Sequence, residues 1–231
     1  MKKLLPLVVI LPLLAACQSQ PAKVEKLSSF ADSVSYSIGM DLGKNLKAQS
    51  IEVNPAAVAQ GITDIMSADS ATILTEEGAR GTLMALRERM MAKEEETRKA
   101  AGDLNKAAGD AFFAANKSKE GVVTLPSGLQ YRVITMGKGK KPGAAQTVSV
   151  HYTGKTLNGN VFDSSVERGA PAEFAVNQVI AGWTEALQLM PEGSRWELFI
   201  PSDLAYGAAG AGGSIGSNQA LIFEIELLKV K

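Results

Sequence analysis

The sequence predicts an α+β protein: an N-terminal all-helical domain, a long connecting α-helix, and a C-terminal antiparallel β-sheet wrapped around one short helix. Three observations carry this reading. Apolar residues recur at helical spacing between residues 30 and 117. From Thr124 onward the period becomes two, in short runs separated by glycine turns. Within that second half only Ala181 to Met190 (AGWTEALQLM) reads as a helix, stopped by Pro191 and Gly193. An antiparallel sheet with one apolar face and one helix to cover it is then a sufficient architecture.

The helices follow in order. From Asp32 to about Ala48, Val34, Ile38, Leu42 and Leu46 line one face, with Asp32 or Ser33 available as the cap. Gly39 and Gly43 in the same stretch lower helix propensity unless another backbone packs closely there. Asn54-Pro55 signals a second start, and Val58, Ile62, Ile65 and Met66 form the stripe of a helix ending near Ser67. Two such short helices cannot bury both stripes alone and need each other, a third helix or another copy of the chain. The third helical stretch runs from about Thr75 to Lys117, capped by Thr75 and complemented by Glu76 and Glu77. Its middle, Lys93 to Asp103, is nearly all polar, with Glu94–Arg98 and Glu95–Lys99 at i,i+4. A helix polar all round bridges two bodies through solvent, here as a rod of ~60 Å. The alternative is two helices broken near Gly102, with Gly109 a second weak point.

In the sheet region Leu129, Tyr131 and Val133 alternate, as do Val148, Val150 and Tyr152. Leu157-Asn158-Gly159-Asn160 is a hairpin turn signal. Trp196, Leu198 and Ile200 face one way against Arg195, Glu197 and Phe199, and Leu221, Phe223, Ile225 and Leu227 face one way along the last strand.

Composition removes most function classes. Lys plus Arg and Asp plus Glu both number 24, so no basic excess advertises nucleic-acid binding. A single cysteine excludes an internal disulfide and any multi-cysteine zinc site. A single histidine, His151, argues against metal or triad chemistry built on imidazole. By strand alternation from Tyr152 it points to the opposite face.

The first residues read as a targeting segment. Lys2 and Lys3 precede an apolar run over residues 4–14 that has the length of a signal-peptide core. Leu14-Ala15-Ala16-Cys17 resembles the bacterial lipobox, in which Cys17 is acylated after residues 1–16 are removed. The alternative is ordinary secretion with Cys17 a chance residue; the sole cysteine falling at the required position favours the lipoprotein. Several acyl chains give stable membrane anchoring where one is marginal. Gln18 after the cysteine points by the usual sorting pattern to the outer membrane, and residues 17–29 read as a lipidated tether.

Five segments then match a family in order and spacing. They are Val150-His151-Tyr152-Thr153-Gly154, Gly159 to Ser165 (GNVFDSS), Val179-Ile180-Ala181-Gly182-Trp183, Leu204-Ala205-Tyr206-Gly207, and Leu221 to Leu228 (LIFEIELL). Together, over about residues 124–231, they resemble the FKBP-type peptidyl-prolyl cis-trans isomerases. The helical region before them is similar to the macrophage-infectivity-potentiator branch. That resemblance implies a homodimer through residues 30–74, a connecting helix over 75–118 and an isomerase domain over 119–231. It implies proline-containing unfolded proteins as substrates, no cofactor, no metal and no nucleic acid.

Position by position, the resemblance implies that Trp183 floors a pocket walled by Tyr152, Phe162 and Phe223, with Val179 and Ile215 also contributing. The Ile180 N–H and the Tyr206 hydroxyl would hold substrate carbonyls, and Asp163 would act at the rim, steadied by Arg168. Taken singly, Trp183, Phe162 and Phe223 read equally well as core, and Asp163 as a turn cap through Ser164 and Ser165. Ala172 stands where relatives often carry a large aromatic, implying one thinner wall. Ala211, Ser214 and the glycines Gly210, Gly212, Gly213 and Gly216 suggest a mobile flap over 208–219. A second functional reading is an ATP-independent holdase, with Met40, Met66, Met84, Met90 and Met91 as adaptable apolar surface.

Overall fold

The computed structural model describes residues 24–67 and 71–231; the leader, the lipobox and Cys17 lie outside the described residues. The chain divides into two compact units, Met1–Thr82 and Leu83–Lys231.

The first unit holds helix α1, Phe30–Ala48, and helix α2, Pro55–Met66. The cap of α1 is Ser29, not Asp32 or Ser33. Ser29 Oγ accepts the Asp32 N–H at 3.0 Å, and the Asp32 carboxylate accepts the Ser29 N–H at 2.9 Å. Asp32 is thus the reciprocating member of a capping box, one turn inside the helix. For α2 the expected signal holds: Asn54 Oδ1 accepts the Ala56 N–H at 3.0 Å and Pro55 takes the first turn. No residue of either helix is buried. In the single chain the stripe residue Ile38 is 62% exposed and Ile65 76%.

Helix α3, Glu76–Asn116, starts in this unit and continues uninterrupted through the second for 41 residues in all. Thr75 Oγ1 accepts the Gly78 N–H at 3.1 Å and begins it. There is no break at Gly102 or Gly109. Both glycines are buried because the helix lies against the sheet unit there. A Cβ on Gly102 would stand 2.6 Å from Ser217 Oγ, and one on Gly109 would stand 3.4 Å from Ala220 Cβ. The ion pairs on its polar stretch also differ from the expected ones: Arg98 pairs with Glu95 at 2.6 Å and Lys99 with Asp103 at 2.7 Å.

The second unit is one antiparallel sheet in the order β1-β2-β6-β7-β3-β4, with β5 paired to β3. The strands are β1 Val122–Thr124, β2 Gln130–Thr135, β3 Thr147–Thr156, β4 Val161–Ser164, β5 Ala172–Ala175, β6 Arg195–Ile200 and β7 Leu221–Val230. Helix α4, Ala181–Leu189, supplies Trp183, Ala186 and Leu187 to the core. The alternating strand residues face them: Val148, Val150, Leu198, Ile200, Leu221, Ile225 and Leu227 are completely buried. Close approach of helix and sheet requires Gly182, where a Cβ would stand 2.6 Å from Ile200 Cγ2.

The opposite face of the sheet is not wholly solvated. Phe199 and Ile222, paired across β6 and β7, are both buried. Phe112 of α3 packs on Phe199 with ring centroids 5.7 Å apart. At the end of α3, buried Asn116 donates to Gln130 Oε1 at 3.0 Å, and Gln130 Nε2 donates to the Phe113 carbonyl at 3.1 Å. This polar clasp ties the helix terminus to β2.

Candidate active site

The site forms where β3, β4 and β7 meet the start of α4. The β3–β4 hairpin closes through a Thr156 N–H bond to the Asn160 carbonyl at 3.0 Å, with Gly159 at a φ of 85°. Strand alternation sends Tyr152 inward and His151 to the other face, where its Nδ1 lies 3.1 Å from Ser165 Oγ. Gly154 follows two residues after Tyr152 on the same face. A Cβ there would stand 2.5 Å from Phe223 Cε1 and 2.7 Å from Phe162 Cζ. The glycine therefore gives Phe162 and Phe223 room to pack edge to face, centroids 5.6 Å apart and planes at 85°.

Trp183 sits on the first turn of α4, one helical step after Ile180. It receives Tyr152 at 5.1 Å, Phe223 at 5.2 Å and Phe174 at 5.6 Å, each nearly perpendicular to it. The indole is buried and its Nε1 has no hydrogen-bond partner in the described residues. Above it opens a cavity of about 410 Å³. Tyr152, Phe162, Asp163, Val179, Ile180, Trp183, Tyr206 and Phe223 all line it. Tyr206, 39% exposed, stands at its mouth.

The two remaining expected residues sit elsewhere. Ile215 is buried in the core cluster, pairs with Ala211 across an isolated bridge, and is not among the residues that line the cavity. Arg168 is not among the residues that line the cavity and forms an ion pair with Asp163. Phe174 and Gln178 line the cavity although no sequence pattern singled them out. Phe174 shares a face with Ala172 on β5, and its ring packs edge-on against Tyr152, centroids 5.8 Å apart. Period-two alternation from Ala172 was the available signal. Gln178 belongs to a 3-10 turn, Val176–Gln178, which carried none.

The rim is electrostatically tied together. The Tyr152 hydroxyl donates to Asp163 Oδ2, and Arg168 Nη1 donates to Asp163 Oδ1. Arg168 Nη2 reaches the Tyr152 hydroxyl at 3.0 Å, and its guanidinium lies 5.6 Å from the Tyr152 ring centre. Burial pushes the Tyr152 phenol up, and donation to Asp163 adds to this. Burial also acts to raise Asp163, but the hydrogen bonds from Tyr152 and Arg168 outweigh it and hold the carboxyl below its usual range. Bonds to Tyr152 and then to Asp163 raise Arg168. The turn after Asp163 is capped by Ser164, whose Oγ accepts the Glu167 N–H at 3.3 Å, while buried Ser165 accepts the Tyr152 N–H at 2.8 Å. The Ser164 backbone N–H also acts on the Asp163 carboxylate and helps to lower it, so Asp163 keeps a share in the turn while it lines the cavity.

The head of α4 supplies backbone groups. The Ile180 carbonyl accepts the Trp183 and Thr184 N–H groups at 2.9 and 3.1 Å. An open, aromatic-floored cup with polar groups only at its rim suits an apolar ring flanked by amide groups.

Comparison with known proteins agrees with this geometry. Residues 138–228 match the family model described as FKBP-type peptidyl-prolyl cis-trans isomerase. Residues 31–133 match the domain amino terminal to it. The chain is 52% identical over 212 residues to the outer membrane protein MIP of Legionella longbeachae, covering 89% of this chain and 88% of that protein. It is 45% identical over 197 residues to the FKBP-type 22 kDa peptidyl-prolyl cis-trans isomerase of Escherichia coli, covering 85% and 93%. The crystal structure of FkpA from Escherichia coli superposes with a TM-score of 0.73 at 32% identity, covering 89% of this chain and 99% of that one. The chain belongs to the FKBP-type peptidyl-prolyl cis-trans isomerases.

Proposed function

We propose that this chain accelerates rotation about X–Pro peptide bonds in envelope proteins as they fold, with the cup over Trp183 as its active site. The observation that carries the reading is the open aromatic cavity joined to the Tyr152–Asp163–Arg168 network at its rim. The barrier to X–Pro rotation, ~20 kcal/mol, arises from amide resonance, and rotation breaks no covalent bond. In the twisted state the nitrogen lone pair is localised and the carbonyl is less polar. An apolar site therefore disfavours the planar amide more than the twisted one, and the difference lowers the barrier.

Each residue has a part in this. Trp183 receives the proline ring, with Tyr152, Phe162, Phe174 and Phe223 around it. The Tyr206 hydroxyl and the Ile180 N–H hold carbonyls of the flanking backbone. Asp163, kept ionised and oriented by Arg168, gives the rim its polar contact without serving as a base.

The remaining assignments are part of the same reading. Residues 1–16 are a lipoprotein leader, Cys17 carries the acyl anchor, and 17–29 tether the chain to the outer membrane on its periplasmic side. Residues 30–74 pair with a second copy, which accounts for the uncovered stripes of α1 and α2. Residues 75–118 form the connecting helix and 119–231 the isomerase domain. The family match favours this reading over a holdase.

The test is isomerisation of a short X–Pro peptide by the full chain. Trp183→Leu and Tyr206→Phe should each lower kcat/KM by about tenfold, roughly 1.4 kcal/mol of barrier. Undiminished rates in both variants would remove the cup from the mechanism.

A further inference from the structure

The loop between Ala205 and Ala220 carries Tyr206 at the mouth of the cavity and is anchored from within at its far side, where Ile215 is buried in the core cluster and Gln219 Oε1 accepts the Gly216 N–H at 2.8 Å. Ala208, Ala209, Gly210, Gly212 and Gly213 have almost no side chain to pack, and the three glycines adopt positive φ. Their turns are closed by backbone bonds: Ala211 and Ile215 exchange two, at 2.9 and 3.0 Å. The stretches around Ala208 and Ser217 are held in addition from outside the loop, by α3. Arg98 Nη1 donates to the Ala208 carbonyl at 3.0 Å, and Asn105 Nδ2 donates to the Ser217 carbonyl at 2.9 Å. Between these two residues, on the same helix face, buried Gly102 admits the loop to a distance no larger residue allows. The two grips lead directly to Tyr206. Ala208 is two residues beyond it, and the Asn218 N–H, next to Ser217, donates to the Gly207 carbonyl at 2.8 Å.

We propose that Arg98 and Asn105 are positioning residues of the isomerase: through the Ala208 and Ser217 carbonyls, α3 sets the height at which the Tyr206 hydroxyl meets a substrate carbonyl. The connecting helix is then part of the active site's support as well as a spacer. This rests on the assignment of Tyr206 to the substrate-binding rim.

The experiment separates the two. In the full chain, KM and kcat for a short X–Pro peptide are measured for Arg98→Ala/Asn105→Ala, for Arg98→Lys, for Lys99→Ala and for Tyr206→Phe. Loosening a rim that binds ground and twisted states alike should raise KM about fivefold at unchanged kcat in the double variant. Arg98→Lys, which keeps a donor, should lie close to wild type, and Lys99→Ala, whose partner is Asp103, should not differ from it. If Tyr206→Phe impairs the enzyme while the double variant matches wild type, this proposal alone is overturned. A fall in kcat at unchanged KM also overturns it, since that reports lost folded enzyme. If Tyr206→Phe is itself silent, the assignment of Tyr206 fails and the proposal fails with it.

Discussion

Gly154→Ala isolates the packing of the active site from its chemistry. Gly154 is buried in β3 with an ordinary strand backbone, so alanine there costs nothing in dihedral strain. The cost is steric: the new methyl would stand 2.5 Å from Phe223 Cε1 and 2.7 Å from Phe162 Cζ. Carbon atoms in favourable contact are ~3.5–4.0 Å apart, so each ring must retreat by about 1 Å. Overpacking of this kind costs ~1–3 kcal/mol. A value of about 2 kcal/mol corresponds to a fall in Tm of ~4–8 °C for a unit of this size. Both displaced rings wall the cavity, so kcat/KM should fall by about tenfold or more. The assays are thermal unfolding followed by near-ultraviolet circular dichroism and isomerisation of an X–Pro peptide. Adding Phe162→Leu should recover part of the Tm, because it vacates the space the methyl needs, and the two changes should couple in a double-mutant cycle. A Gly154→Ala protein with unchanged Tm and unchanged kcat/KM would refute the reasoning.

Two further predictions concern the rim and the first unit. Asp163 is lowered in the fold, so its contribution is present above the ordinary carboxyl value near ~3.9 and is lost only as pH falls through the folded value below it. Tyr152 is raised, so its contribution is present below ~10 and is lost only as pH rises through the folded value above it. The pH profile of kcat/KM should therefore be flat from about pH 5 to about pH 9; an inflection in that window that Asp163→Asn abolishes would contradict the network. In the first unit, Ile38→Lys places a charge on an apolar stripe that the single chain leaves 62% exposed. Light scattering should show a dimeric mass for the wild type and a monomeric mass for the variant, and an unaltered mass would argue against pairing through α1.

How much was legible in advance depends on the range of the interaction. Asn54-Pro55, the period-two runs of β3, β6 and β7, and the stop of α4 before Pro191 are local signals, and the structure contains the corresponding elements. The resemblance carried by the five family-like segments implied most of the residues that line the cavity. Asp163 was ambiguous as a sequence feature, because an aspartate before two serines caps a turn as readily as it rims a pocket. The fold lets it do both: the Ser164 N–H acts on its carboxylate, while Tyr152 and Arg168 hold it at the cavity.

The sequence alone thus determined the helical first part and the sheet with its one helix, and its resemblance to a family implied Tyr152, Phe162, Trp183 and Phe223 of the cup. Only the tertiary structure decided which surfaces meet. Phe199 alternates as an outward residue and is nevertheless buried, because Phe112, far away in the chain, lies on it. Gly102 reads as a place to bend and is a place of contact, because Ser217 and Asn218 approach there. Phe174 enters the cup and Ile215 leaves it. The physical reason is the same throughout: periodicity and caps report the nearest few residues, whereas burial is set by whichever distant surface arrives to exclude water.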